Sequence, residues 1–213
     1  MSGDYVYLMS VLIVAALKSE VKFLLTEWGI RHQEAVEKHA VHYQCDNGAQ
    51  ILRTGVGLAK TARVLHHFKN RLPRKMLHIG VCGALSGQFQ VGDVVKANAY
   101  VNEAGEWVTP KSWPLFPTAG LFRQTIFLSV TEAVRSDAGR MELAEQTGAG
   151  VADMESFAVA KFCQHYHLSL VSLRIVSDLA DDRAISTFQT VFRKQAAALQ
   201  RVIMERWAEI NAE

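Results

Sequence analysis

The sequence predicts an α/β fold built around a mixed sheet, and three observations carry that expectation. Apolar runs of strand length, several of them β-branched, recur at 11–16, 76–79, 126–130 and 168–176. Glycine-containing turns lead from such runs into segments with helical spacing of apolar residues. Asp46-Asn47-Gly48, flanked by 41–45 and 49–53, suits a hairpin and brings an antiparallel pair into an otherwise alternating pattern.

Taken in order, residues 11–16 form the first core strand. The wider apolar run 5–17 contains Ser10, stops at Lys18 and is too short for a membrane span; it also lacks a basic leader and a small-residue cleavage site. Ser19 and Glu20 then lead into Val21, Phe23, Leu24, Leu25 and Trp28 at helical spacing. After the hairpin, Thr54-Gly55-Val56-Gly57 opens a helix through Ala59, Ala62, Val64, Leu65 and Phe68. The strand 76–79 runs into a second glycine turn, Gly80-Val81-Cys82-Gly83, and 91–97 and 126–130 follow as further strands.

The segment 102–122 holds three of the four prolines together with Trp107, Trp113, Phe116 and Phe122. It reads as a surface loop serving as a lid, a subunit contact or a plain connector. Residues 153–163 read as a helix with Asp153 near its N-cap, and 168–176 as a buried strand that delivers Ser177 and Asp178 at its C-terminal end. The last helix, 186–210, carries Phe188, Val191, Phe192, Leu199, Val202, Ile203 and Trp207 on one face, a pattern of packing rather than function. With no repeat, linker or low-complexity tract, the 213 residues are expected to form one domain.

Composition narrows the partners. A hydrophobic share of 49% suffices for a sizeable core. The formal charge of +2, from 23 basic and 21 acidic side chains that are scattered rather than blocked, leaves no footprint for nucleic acid, so a small molecule is the expected ligand. Cys45, Cys82 and Cys163 are odd in number and lack CxxC spacing, which argues against a disulfide framework or a zinc site and fits a reducing cytoplasm. The eight histidines are dispersed; His66-His67, and His165 with His167, lack a third ligand, so neither metal nor cofactor is expected.

Chemistry concentrates at two junctions. Asp153-Met154-Glu155-Ser156 and Arg174-Ile175-Val176-Ser177-Asp178 place Glu155 and Asp178 at consecutive strand and helix boundaries, where open α/β sheets keep their sites, so the two carboxylates could share one crevice. The plainer reading makes Asp153 a cap and Asp178, with Asp181 and Asp182, a solvated loop. Gly55-Val56-Gly57 and Gly80-Val81-Cys82-Gly83 could bring main-chain amides to an anion or a base, or simply turn the chain. Neither has the third glycine of a dinucleotide fingerprint or a following GK[ST].

Six segments in order, Ala15-Ala16-Leu17-Lys18-Ser19-Glu20-Val21, Thr54-Gly55-Val56-Gly57-Leu58-Ala59-Lys60-Thr61-Ala62, His78-Ile79-Gly80-Val81-Cys82-Gly83-Ala84-Leu85, Gly92-Asp93-Val94-Val95 and the two acidic motifs, resemble the nucleoside phosphorylase and methylthioadenosine/adenosylhomocysteine nucleosidase superfamily over nearly the whole chain. The resemblance implies a three-layer α/β/α sandwich with a central mixed β-sheet, a homodimer, and cleavage of a purine N-ribosidic bond. It implies that Asp178 protonates the departing purine, with Ser177 orienting it, and that Glu20 activates water. It also implies that Glu155 holds the ribose hydroxyls with Met154 packed on the sugar, while Leu17, Val56, Val81, Cys82, Gly83 and Val134 line the pocket. For Leu17 and Val56 core packing is the alternative, and nothing marks Cys82 as a nucleophile.

Where phosphorylases of this superfamily carry an arginine and a serine for phosphate, this chain has His78 and Val81, which favours water as nucleophile. Arg31, Arg53 or Arg135 could supply another anion site. Ala133 in place of a base-stacking aromatic, Lys18-Ser19 within a usually acidic run, and the short stretch 100–153 leave the 5′ substituent open, so the expected substrate is a 5′-modified nucleoside of the methylthioadenosine/adenosylhomocysteine or futalosine kind. A phosphate-dependent phosphorylase, including the type acting on adenosylhopane, and a non-catalytic nucleoside-binding protein are the alternatives.

Overall fold

A computed structural model describes residues 9–113 and 122–211. Strand β1 (Met9–Ala15) is followed by a 3-10 turn (Lys18–Glu20) and helix α1 (Lys22–Trp28). Next come β2 (His32–Glu37), β3 (Ala40–Gln44), β4 (Gln50–Arg53) and α2 (Leu58–His67). Then follow β5 (Pro73–Ala84), β6 (Val94–Asn102), β7 (Trp107–Val108), β8 (Arg123–Ser129), α3 (Asp137–Thr147) and β9 (Val151–Asp153). Helix α4 (Ser156–His165), β10 (Ser169–Asp178), α5 (Ala184–Glu205) and α6 (Trp207–Ile210) complete the order.

The sheet is mixed, as expected. β1 lies parallel to β4 on one side and to β5 on the other, while β2, β3 and β4 form an antiparallel edge. β5 pairs parallel with β10 and antiparallel with β9; β10 pairs antiparallel with β6, β6 parallel with β8, and β8 parallel with β9. These last five strands therefore return to their starting point, so one part of the sheet closes on itself and the other stays open. Closure brings the C-terminal ends of β5, β9 and β10 together around one opening.

Strand periodicity explains the layers, because alternate side chains of a strand face opposite sides. In β1, Leu12 and Val14 join a cluster with Val64 and Leu65 of α2 and Val159 and Ala160 of α4. Ile13 and Ala15 face the other way, toward Leu24 and Leu25 of α1, Leu199 and Ile203 of α5, and Trp207 of α6. Helices thus cover both faces, giving the expected α/β/α layering.

Several local expectations need correction. Gly80-Val81-Cys82-Gly83 is not a turn but the last third of β5, because its backbone is paired to β10 as far as Gly83 and to β9 at Gly83 and Ala84. No helix follows it. β6 begins at Val94 rather than at 91, since Gly92 turns with φ 101°. Helix α4 starts at Ser156, with Glu155 at the N-cap instead of Asp153, which ends β9. The final helix starts at Ala184 and breaks at Arg206.

In the segment expected to be a loop, β7 pairs with β6 and Ser112 bridges to Leu170. Trp113 is buried and Trp107 exposed; residues 114–121, Phe116 among them, lie outside the described residues.

Ile13 is fully buried in β1, which is paired on both sides, with β4 and with β5. Ile13→Ala is expected to lower stability by about 2–5 kcal/mol, as large-to-small core changes do, read as an earlier urea midpoint at unchanged slope.

Candidate active site

Three chain segments each turn at the sheet opening, and each brings a carboxylate. After β1 the 3-10 turn folds back so that Glu20 Oε2 accepts from Ala16 N at 3.0 Å and Leu17 N at 2.8 Å. Its Oε1 accepts from Val81 N of β5 at 3.1 Å. Gly80 makes this approach feasible, since a Cβ there would stand 2.7 Å from Glu20 Oε1 and 3.4 Å from Arg174 Cζ.

Asp178 closes β10. The register with β5 slips between Val176 and Asp178, so Ser177 is an extra residue and Asp178 comes opposite Gly83. The carboxylate accepts from Ser177 Oγ at 2.8 Å on Oδ2 and from Ala180 N at 3.0 Å on Oδ1. Ala180 has φ 52°, a left-handed conformation that turns its amide back toward Asp178. A Cβ at Gly83 would meet Asp178 Oδ1 at 2.9 Å.

Glu155 reaches the opening because other residues cap α4. Asp153 Oδ1 accepts from Ser156 N at 3.1 Å, and Ser129 Oγ accepts from Phe157 N at 2.8 Å while donating to Asp153 Oδ1 at 2.7 Å. The first amides of the helix are therefore satisfied without the Glu155 side chain. Its Oε1 instead accepts from Gly57 N at 2.8 Å, at the turn that opens α2.

Behind these groups lies a buried ion pair. Arg174 donates to Asp153 Oδ2 from Nε at 3.0 Å and from Nη2 at 2.7 Å, both partners being about 1% exposed. The Ser156 hydroxyl donates to the same oxygen, and Arg174 Nη2 also reaches Ser156 Oγ at 3.1 Å. Removing either charge would leave the other buried and unpaired, which typically costs about 3–5 kcal/mol.

The carboxylates line an open cleft of about 690 Å³, its open mouth included. Every expected site residue lines it: Glu20, Glu155 and Asp178; Met154 and Ser177; Val81, Cys82 and Gly83 of β5; and Leu17, Val56 and Val134. Ala133 also lines it, leaving its wall flat and aliphatic there. The residues missed from sequence are Phe188, read as packing yet projecting into the cleft from α5, and Ala16, Val130, Ala152, Asp153 and Ala180. No lysine, arginine or histidine lines the cleft, and every basic side chain of the chain falls among the described residues. Arg31, Arg53 and Arg135 are thus outside it.

Burial sets the electrostatics. Desolvation raises the Glu20 carboxyl above its ordinary range, opposed by the Arg174 charge and by the amides of Leu17, Val81 and Ala16. Asp178 is raised by burial, opposed by the Ser177 and Ala180 hydrogen bonds. Glu155 is raised to about 8 by burial and by the neighbouring Asp153 and Glu20 charges. Burial lifts the Cys82 thiol well above its usual range, so it stays protonated and serves as wall. Among the described residues no cluster of metal-ligating side chains occurs.

The sequence profile described as the phosphorylase superfamily matches residues 10–133 and 119–206. A 5′-methylthioadenosine/S-adenosylhomocysteine nucleosidase of Staphylococcus saprophyticus is 24% identical over 226 residues, covering 90% of this chain and 96% of the relative. The structure of a Helicobacter pylori nucleosidase variant with 5′-methylthioadenosine in its active site superimposes with a TM-score of 0.80 at 18% identity, covering 93% of this chain and 99% of the other. Futalosine hydrolase of Helicobacter pylori gives 0.79 at 19% identity, covering 88% and 92%. At these identities the structural matches establish a shared fold.

A carboxyl whose folded pKa is raised from 4.5 to about 8 keeps its proton in the folded state across that interval while the unfolded chain loses it. Its contribution to stability therefore falls as pH rises from 4.5 to 8 and is constant above. Glu155→Gln removes this loss and keeps an acceptor for Gly57 N. The unfolding midpoint of the variant should gain on that of the wild type across the interval and hold a constant lead beyond it; a difference independent of pH would show that Glu155 is not so perturbed.

Proposed function

Because the chain belongs to the phosphorylase superfamily, we propose that it is an N-ribosyl hydrolase that splits the N-glycosidic bond of a 5′-modified purine nucleoside into free base and sugar. The observation that carries this reading is a cleft lined by buried carboxylates with no cation among its lining residues. Breaking an N-ribosidic bond builds positive charge on the ribose and negative charge on the leaving base, so the site needs anions at the sugar and a proton at the base.

The local chemistry supports a division of labour. Glu20 takes three amide hydrogen bonds and feels the Arg174 charge, all of which favour its ionised form. That suits a base that draws a proton from water. Asp178 takes two hydrogen bonds, and burial raises its carboxyl, which favours the protonated form a proton donor needs. The Ser177 hydroxyl lies within reach of both Asp178 Oδ2 and the Cys82 carbonyl, at 2.8 and 3.1 Å. It can turn to the carbonyl when Oδ2 carries the proton destined for the purine. Glu155, beside Gly57 and Met154, would accept from the ribose hydroxyls and face the developing cation.

Water is preferred to phosphate as nucleophile on the same grounds. A phosphate dianion calls for arginine, lysine or several amide donors, and here it would meet three carboxylates. Leu17, Val56 and Phe188 are left to face a 5′ substituent. The nucleosidase and futalosine hydrolase relatives support a 5′-modified nucleoside of one of these kinds.

We further read the protein as a homodimer whose partner covers the cleft. The rim is apolar and open, with Val56 42% exposed and Ile185, one turn before Phe188, 50% exposed. Three free buried cysteines and the absence, among the described residues, of a helix able to cross a membrane accord with a cytoplasmic setting.

The deciding measurement incubates the protein with methylthioadenosine, adenosylhomocysteine, inosine and futalosine, with and without phosphate, and separates base, ribose and ribose 1-phosphate products. Base release without phosphate is expected; strict dependence on phosphate would replace the hydrolase by a phosphorylase. Asp178→Asn and Glu20→Gln should each lower kcat by about 10²- to 10⁴-fold while leaving the unfolding transition cooperative. Release of base by neither the wild type nor any variant would leave a nucleoside-binding protein.

A further inference from the structure

We propose that His78 is a positioning residue for the nucleophile side of the cleft: its imidazole ring seats Arg174 Nη2 beside Asp153 and thereby fixes the cation beside Glu20. The proposal deepens the hydrolase reading and rests on it for the identity of the base.

The contact itself is unusual. Both ring nitrogens of His78 lie close to one guanidinium nitrogen, with Nε2 at 2.8 Å and Nδ1 at 3.2 Å from Arg174 Nη2. A hydrogen bond along the lone pair of either nitrogen would put the other on the far side of the ring. Nη2 therefore sits over the ring face. Nη2 carries two hydrogens: one serves Asp153 Oδ2 at 2.7 Å, and the other is shared between Ser156 Oγ at 3.1 Å and the His78 ring. What joins His78 to Arg174 is thus a cation against an aromatic face, and such contacts gain strength when desolvated. Both residues are about 1% exposed.

His78 has little freedom to do otherwise. It sits in the middle of β5, paired with Ser172 of β10 and Val14 of β1, so its backbone is held from both sides. The ring is kept neutral by burial and by the Arg174 charge. Its Nδ1 approaches Ser156 Oγ at 3.5 Å, closing the circuit to Asp153.

Gly80 presents no side-chain carbon to the guanidinium. The Cβ position at Gly80 lies 3.4 Å from Arg174 Cζ and 2.7 Å from Glu20 Oε1, so the cation and the carboxylate flank the same gap. Arg174 Nη1 donates to Leu173 O at 3.3 Å. The groups facing Arg174 are Asp153, Glu20, Glu155, the Cys82 thiol and His78; those that act on Glu20 are Arg174 and the amides of Ala16, Leu17 and Val81. Glu155 interacts with the Glu20 charge as well. With no other cation in this set, any shift of the guanidinium changes the charge balance at Glu20, and His78 is the ring that seats Nη2 against such a shift.

His78→Ala and His78→Phe separate this role from simple packing, and His78→Gln, which keeps bulk but no ring, stands in for the alanine variant if that one does not fold. The ringless variants should lose about tenfold or more in kcat, the scale of a misplaced base, with KM little changed. The acid limb of their kcat/KM profile should move up by about one pH unit, because Glu20 loses part of the charge that keeps it ionised. His78→Phe should restore both toward the wild type.

Equal losses in all variants with an unmoved profile would overturn the proposal and leave His78 as core. Carbon-13 titration of the glutamate carboxyls, with Glu20 assigned by Glu20→Gln, reads the same effect without turnover. Failure of the wild type to cleave any nucleoside would therefore sink the hydrolase reading alone. An unchanged Glu20 titration in the ringless variant would sink this one.

Discussion

Arg174 is a buried cation placed beside three buried carboxyl groups, those of Asp153, Glu20 and Glu155, and the arrangement of the cleft depends on where it is held. Asp153 takes two of its donors, and the same Asp153 accepts from the first amide of α4. One carboxylate thus anchors a strand to the start of a helix and neutralises a charge that could not otherwise be buried. Because Asp153 and Ser129 satisfy the helix start, Glu155 is released from capping and turned toward the opening. An aspartate that caps and pairs at once lets the neighbouring glutamate do neither.

A second constraint is the absence of Cβ atoms along β5. Gly80 and Gly83 are not bends; neither has positive φ, and both lie within paired strand. Their role is to thin the sheet at two points, so that Glu20 enters from the β1 side and Asp178 from the β10 side. The two carboxylates reach the same cleft across a strand that side chains would have made too thick. Closure of β5, β10, β6, β8 and β9 on one another holds that strand in place.

These constraints explain which parts of the molecule were legible in the sequence. Long buried strands and amphipathic helices announce themselves by periodic apolar residues, and β1, α2, β8 and β10 were found on that signal. Helix α3 was not, because none of its residues is buried and it has no apolar stripe to read; its marks are the Ser136 cap, Asp137 in the first turn and the left-handed Gly148 that ends it. Strand β2 lacks fully buried residues, and β9 has only three residues, so neither offers a pattern. The glycines at 80–83 were misread because a glycine that admits a turn and one that admits a neighbouring side chain look alike in sequence. Phe188 fitted the apolar face of its helix equally well as core or as pocket wall. The carboxylates were legible as candidates at their junctions, while the ion pair that arranges them joins residues 21 apart and has no local signature.

On the proposed reading, the field across the cleft has a direction that matches the reaction. Glu20 and Glu155 stand on the side of the sugar, and Asp178 stands apart from them at the end of β10, with Gly83 and Ala180 against it. An ionised Glu20 at one end stabilises the ribosyl cation while Glu155, protonated until about pH 8, accepts from the ribose hydroxyls, and a protonated Asp178 at the other end meets the anionic base. A cation lining the cleft would help phosphate and oppose the first of these effects. Keeping the arginine one layer behind, between Asp153 and His78, lets it steady Glu20 without facing the sugar, and a cleft so arranged is matched to a neutral nucleophile.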